Sequence, residues 1–176
     1  VNTVSEKCII ISTLQEADKR MESYLNKMQE DRDKEIIYTD NYNIKGCLGC
    51  TSCWLKTPGV CAIKDDYVTI FQKMLMADRI IFVTEAKLGF ISYKCKDLID
   101  RIIPLALPYT MISEGAMRHK PRYKKTWKIG LVYTGDGEEA FLDRWLKRVT
   151  LNFFSESLGS YDIMKDEDLC YEIGNL

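Results

Sequence analysis

The stretch "KCIIISTLQEADKRMESYLNKM", residues 7–28, changes its hydrophobic period halfway along. In "KCIIIS" the apolar residues are consecutive, as in a strand buried on both faces. After it Leu14, Ala17, Met21, Leu25 and Met28 recur at helical spacing. This is a β–α unit, and the same alternation continues downstream. "EIIYT" reads as a second strand, and Val68, Phe71, Met74 and Leu75 mark a helix with Asp65 or Asp66 as its N-cap. "DRIIFVT" is the next strand. A helix carrying Cys95, Leu98, Ile99 and Ile102 stops before Pro104, an irregular insert covers 104–126, and "WKIGLVYT" returns to strand. Phe141, Trp145, Leu146 and Val149 give a fourth helix. "SYDIMK" supplies a fifth strand, with little chain left for a closing helix.

Apolar strands alternating with helices predict an α/β protein: a flavodoxin-like, doubly wound parallel sheet of about five strands with helices on both faces. A single domain over 1–176 accounts for the whole pattern, since 176 residues with 46% hydrophobic content bury one core. The 25 basic and 26 acidic side chains leave a formal charge of -1. No whole-molecule field therefore draws the chain to nucleic acid or an anionic membrane, and neither is an expected partner. No apolar run approaches the roughly 20 residues that span a bilayer, and the start lacks the pattern of a signal peptide, so the expected compartment is the cytoplasm.

In open α/β sheets ligands bind beyond the carboxyl ends of the strands, where strand order reverses. That rule selects three loops: Ser12 to Glu16, Thr84 to Gly89, and Thr134 to Gly137. There is no P-loop, GxSxG or HExxH pattern to support a nucleotide hydrolase or protease.

Four of the seven cysteines crowd into "GCLGCTSCWLKTPGVC", residues 46–61. Cys47, Cys50 and Cys53 are each two residues apart, and Cys61 can return through the Pro58-Gly59 turn. That overlapping spacing wraps the chain around one compact object, which is what a 4Fe-4S cluster demands. Gly46 and Gly49 allow close backbone approach, and amides near Thr51 and Ser52 could donate to sulfur. Zinc more often takes two separated CxxC knuckles and ranks second; reduced packed thiols or a redox disulfide are the other readings. Cys8, Cys95 and Cys170 read as ordinary thiols.

With "IKGCLGCTSCWLKTPGVCAIKDD", "ADRIIF", "KDLIDRIIP", "PY" and "RHKPRYKK" in view, the chain resembles the iron-sulfur flavoprotein and NADPH-dependent FMN reductase branch of the flavodoxin superfamily, from about Ile36 to Gly130. The resemblance implies FMN at the strand ends and, in some members, a 4Fe-4S cluster on Cys47, Cys50, Cys53 and Cys61. It also implies homo-oligomers, and electron transfer from NAD(P)H or ferredoxin to a small-molecule or protein acceptor. The expected function is thus an FMN-dependent NAD(P)H oxidoreductase or electron-transfer flavoprotein.

Two loops depart from the family's pattern. Where a loop resembling GSPRxxGNT would hold the flavin phosphate, this chain has "STLQEADKR", without glycine and with Glu16 and Asp18 in the way. Ser12, Thr13 and Gln15 remain as donors, and Lys19 or Arg20 could offset the acids. Where the family resembles TPxYxG, the chain reads Thr84, Glu85, Ala86, Lys87, Leu88, Gly89. Glu85 opposes the negative charge a reduced flavin gains, and Lys87 could balance it. The third loop, Thr134, Gly135, Asp136, Gly137, keeps two glycines for close backbone approach. These departures keep a second reading open: a flavodoxin-like scaffold that has lost flavin and serves as a metal-binding or protein-interaction module. The basic run Arg118 to Lys125 reads as a solvated loop, or, by the resemblance, as a site for the 2'-phosphate of NADPH. Trp54, Tyr109, Tyr123 and Tyr133 could stack on a flavin or pack in the core.

Overall fold

The apolar run of the opening stretch is strand β1 (Cys8–Ser12), and all five of its residues are buried. In the computed structural model, which describes residues 6–14, 19–31 and 33–175, it leads to helix α1 (Lys19–Gln29) and then β2 (Lys34–Tyr38). A short turn of helix α2 (Ser52–Leu55) lies within the cysteine segment. Helix α3 (Tyr67–Met76), strand β3 (Arg79–Ile91) and helix α4 (Tyr93–Asp100) follow. Next come β4 (Ala106–Ser113), β5 (Ala116–Pro121), β6 (Lys128–Gly137), α5 (Glu139–Asn152), β7 (Glu156–Asp162) and α6 (Glu167–Asn175).

The strands β2-β1-β3-β6-β7 form one five-stranded sheet in that order, and every neighbouring pair is parallel. Alternate side chains supply its two faces. Ile9, Ile11, Ile80, Phe82, Ile129 and Leu131 pack under α3, α4 and α5, through Ile70, Phe71, Met74, Leu98, Ile99, Leu142 and Leu146. Ile10, Ile81, Val83 and Val132 pack under α1 and α6, through Met21, Tyr24, Leu25, Met28, Cys170 and Ile173. Burial on both faces is why these strands read as unbroken apolar runs, and each isoleucine so buried contributes about 1.5–3 kcal/mol.

Several expectations are corrected. The tail does carry a closing helix: α6 buries Cys170 and Ile173 against the α1 side of the sheet. The insert 104–126 is not irregular throughout but holds the antiparallel hairpin β4–β5, with Arg118 to Pro121 in its second strand rather than in a solvated loop. Tyr109, Ile112 and Met117 stand exposed on it. In α3 the buried positions are Tyr67, Ile70, Phe71 and Met74, while Val68 is exposed. Asp66 stands at the N-cap position without a side-chain capping hydrogen bond, while Asp65 accepts from the N–H of Tyr67, the first helical residue, at 3.3 Å; both carboxylates also reach across to residues 43–45. In α5, Leu142 and Leu146 are buried and Phe141 faces out. No helix among the described residues is long and apolar enough to cross a membrane.

Candidate functional site

Strand order reverses between β1 and β3, because β2 lies on one side of β1 and the rest of the sheet on the other. The three sequence-selected loops meet at that carboxyl edge. Thr13 extends β1, donating from its N–H (2.8 Å) and its hydroxyl (3.1 Å) to the carbonyl of Val83. Gln15, with Glu16 and Asp18, lies outside the described residues. Thr84 to Gly89 is not a loop, as expected, but the end of β3, paired with the end of β6: Glu85 stands opposite Thr134, Ala86 opposite Gly135, and Gly89 opposite Gly137. A turn with positive φ at Leu88 (52°) and Gly89 (78°) then folds β3 back toward Ser92.

This paired ribbon explains the loop's residues. Gly135 has φ +100°, and a Cβ there would fall under 3.0 Å from the Ala86 carbonyl, so only glycine permits the close approach. The Leu88 N–H donates to the Asp136 carboxylate at 3.2 Å, and the Glu138 N–H donates to the Gly89 carbonyl at 3.1 Å. Lys87 Nζ lies 3.1 Å from the Glu85 carboxylate, an exposed ion pair. Beneath the ribbon the hydroxyls of Thr84 and Ser92 are 2.8 Å apart and those of Thr13 and Ser92 3.5 Å, while Ser92 accepts from the Cys95 N–H and caps α4. The sequence reading missed Ser92, although a serine directly before an apolar helical run is an N-cap signal. On the ring side these residues suit a flavin, with narrow backbone and balanced charge. The hydroxyl of Thr13, in contrast, is already bonded to protein.

The cysteine segment leaves the same carboxyl edge, after β2. Cys47, Cys50, Cys53 and Cys61 all line one small apolar cavity of about 60 Å³, closed by Leu48, Trp54, Ile63 and Ile103. Gly49 has φ +61°, which turns its N–H onto the Cys47 sulfur at 3.4 Å. The hydroxyl and N–H of Ser52 hold the Cys50 thiol below its usual range, and burial, reinforced by the Cys61, Cys47 and Cys50 sulfurs, pushes Cys53 up. Among the described residues no three His, Cys, Asp or Glu groups converge tightly enough for one metal ion. Zinc needs its sulfurs at about 2.3 Å from a single point, whereas a cluster takes one sulfur at each corner. The four thiols share the lining of one cavity.

The base of the segment is tied by residues the sequence reading did not single out. Asp65 and Arg101 form an ion pair at 2.5 Å with both side chains almost completely buried. Arg101 also donates to the Lys45 carbonyl at 2.8 Å, and Asp65 accepts from the Lys45 N–H at 2.8 Å. The signal available was a lone arginine on the buried face of "KDLIDRIIP". Trp54 donates from its indole N–H to the carbonyls of Ile103 and Ala106, with its ring 4.6 Å from His119. Tyr133 is buried in the core with its ring against Gly137 of the ribbon, and Tyr109 is exposed on the hairpin. Tyr123 lines a separate cavity with Cys61 and Arg101. Cys8, Cys95 and Cys170 are all buried, and burial pushes their thiols up to about 11, 12 and 12.

No family model matches the chain. It is 43% identical over 67 residues to an iron-sulfur flavoprotein of Archaeoglobus fulgidus, covering 38% of this chain and 32% of that one. It is 34% identical over 83 residues to an iron-sulfur flavoprotein of Methanocaldococcus jannaschii, covering 47% and 42%. The matches thus span about a third to two fifths of the length of these relatives. Among solved structures, RosB with a bound 8-demethyl-8-formylriboflavin-5'-phosphate superposes with a TM-score of 0.65 at 10% identity, over 97% of this chain and 77% of that one. The chain has the flavodoxin-like fold, and in part of its length it is similar in sequence to archaeal iron-sulfur flavoproteins.

Proposed function

We propose that this protein is an electron-transfer flavoprotein or NAD(P)H oxidoreductase: FMN at the carboxyl ends of β1, β3 and β6, and a 4Fe-4S cluster held by Cys47, Cys50, Cys53 and Cys61. The observation that carries this reading is the gathering of all four segment cysteines on one cavity at the sheet edge where three flavin-type limbs also meet. The names of the similar archaeal proteins support it. Ser12 and Thr13, Thr84 to Gly89, and Thr134 to Gly137 would hold the flavin, with Lys87 balancing Glu85. Bound there, a flavin supplies two-electron exchange with a nicotinamide and one-electron exchange with a partner, and a cluster supplies one-electron steps alone. The chain's own part is to orient, to exclude water and to set the local charge. A cleft of about 220 Å³ lies between residues 39–44 and the start of α4, bridged by Lys94 and Asp40 at 2.5 Å, and would admit an electron donor or acceptor.

A second reading, a flavin-free metal or interaction module, draws on the hydroxyls of Thr13 and Thr84 being bonded within the protein. One experiment separates the two. Protein purified without oxygen is expected to show flavin absorption and iron, or to take up both on reconstitution, and Cys50→Ser is expected to abolish bound iron. Iron without any FMN uptake would favour the second reading. Colourless protein that takes up neither would overturn the proposal, and unchanged iron in Cys50→Ser would remove the cluster from it.

A further inference from the structure

A buried ion pair is a poor device for stability alone, because desolvating two charges offsets most of their attraction. The Asp65–Arg101 pair is nonetheless among the most buried charged groups of the chain, with side chains 0% and 1% exposed. Its hydrogen bonds show what it joins. Asp65 lies four residues beyond Cys61 and accepts from the N–H of Lys45, two residues before Cys47, at 2.8 Å. Arg101, delivered by the end of α4, grips both Asp65 oxygens at 2.5 and 2.9 Å and the Lys45 carbonyl at 2.8 Å. One residue pair outward, Asn43 and Asp66 are joined by the Asn43 N–H to the Asp66 carboxylate (2.7 Å) and by the Asp66 N–H to the Asn43 carbonyl (3.1 Å). The two ends of the cysteine segment are thus held together at its base.

The guanidinium also faces inward. It lies 4.2 Å from the centre of the Tyr67 ring, it borders one cavity together with Cys61, and its Nε is buried without a partner. Arg101 borders that cavity with Cys61 and Asp65 does not, so the ion pair turns its positive end toward the sulfur; a positive end beside a sulfur ligand stabilises added negative charge on whatever that sulfur holds and favours the reduced state.

We propose that Arg101 is a positioning residue for the cysteine site: through Asp65 and Lys45 it closes the base of the segment, and its guanidinium sets the electron affinity of the group held by the four cysteines. The second half rests on the cluster reading above; the first does not.

The test compares reconstituted wild type with Arg101→Lys and with the charge-free double variant Arg101→Met, Asp65→Leu, which leaves no buried charge unpaired. In the double variant the one-electron reduction equilibrium is expected to fall at least tenfold, about 59 mV. Arg101→Lys, which keeps the charge and loses the fork, is expected to retain most of the potential. In both variants amide exchange over residues 43–66 is expected to quicken at least tenfold, with β1 and β3 unchanged. Wild-type potential in the iron-loaded double variant overturns the electrostatic half, and wild-type exchange in Arg101→Lys overturns the positioning half. If wild type takes up no iron, the cluster reading and the electrostatic half fall together, and exchange in Arg101→Lys still decides the rest.

Discussion

Gly135→Ala tests whether the paired ends of β3 and β6 are a built feature of the strand-end site. Gly135 sits at φ +100° directly opposite Ala86, and an added Cβ would lie under 3.0 Å from the Ala86 carbonyl. An L-residue in that backbone region costs about 1–2 kcal/mol. The clash adds to this, because the ribbon must part, and each ladder hydrogen bond lost costs about 1 kcal/mol. The sum is about 2–4 kcal/mol, which for a chain of this length lowers the melting midpoint by roughly 6–12 °C. Gly115→Ala is the matched control, since that glycine also has positive φ (72°) but has nothing within 4 Å of its Cβ position. It should lose only the conformational part, about 1–2 kcal/mol, or roughly 3–6 °C. Thermal unfolding of both variants in one buffer reads the difference directly, and titration with FMN reads whether the ribbon matters to the ligand. Midpoints for the two variants that agree within about 2 °C would refute the argument that the ribbon's close approach is what requires glycine.

Other expectations concern charge and thiol chemistry. Brief alkylation of the metal-free native protein should modify Cys50 first, with Cys8, Cys95 and Cys170 protected by on the order of 100-fold or more until the chain unfolds; mass spectrometry showing Cys95 labelled as fast as Cys50 would contradict this. Burial would raise the Asp65 carboxyl, but Arg101 and the Lys45 N–H outweigh it and hold the group below 3.8. Its stabilising effect is therefore complete above that value and is lost as pH falls through the lower folded value. Asp65→Asn should accordingly cost about 3–5 kcal/mol at neutral pH, with the gap to wild type narrowing only in strong acid; a gap already closing near pH 6 would count against the pair. Lys87→Ala should weaken FMN binding up to about fivefold at low salt, in keeping with an exposed ion pair, while Glu85→Gln should tighten it. Fluorescence titrations that move in the opposite direction would show that the ribbon does not face the flavin.

How legible the protein was depended on whether a residue's partner could be guessed from its neighbours. Ile9 to Ile11 and Ile80 to Val83 announced their strands because a parallel sheet is covered on both faces, and that requirement is written into consecutive residues. Met21, Leu25 and Met28 did the same for α1. The run from Glu85 to Leu88 failed as a strand signal because it leaves the covered part of the sheet and pairs with β6 alone, so no apolar pattern is imposed on it. The hairpin β4–β5 was hidden for a related reason: it packs few of its residues, and Pro104 and Pro108 made it read as irregular. Helix α6 was missed because "EDLCYEIGN" shows only Cys170, Ile173 and Gly174 to the core, a stripe too narrow to stand out. At the cysteines, spacing identified the four that share a cavity. It could not identify Arg101, whose role depends on a carboxylate 36 residues away.

The tie at the base of the cysteine segment has a consequence for how the protein is made. Asp65 and Lys45 flank the cysteine segment in sequence, but Arg101 comes from the end of α4, beyond β3, so the tie closes only once α4 is in place. Before then the thiols of residues 47–61 hang on an open loop, able to bind metals or pair with one another. The ordered arrangement of the segment therefore depends on a residue far from it in sequence. In the folded, metal-free chain the exposed Cys47 and Cys50 are the points most open to oxidative damage, whereas Cys8, Cys95 and Cys170 are shielded by burial.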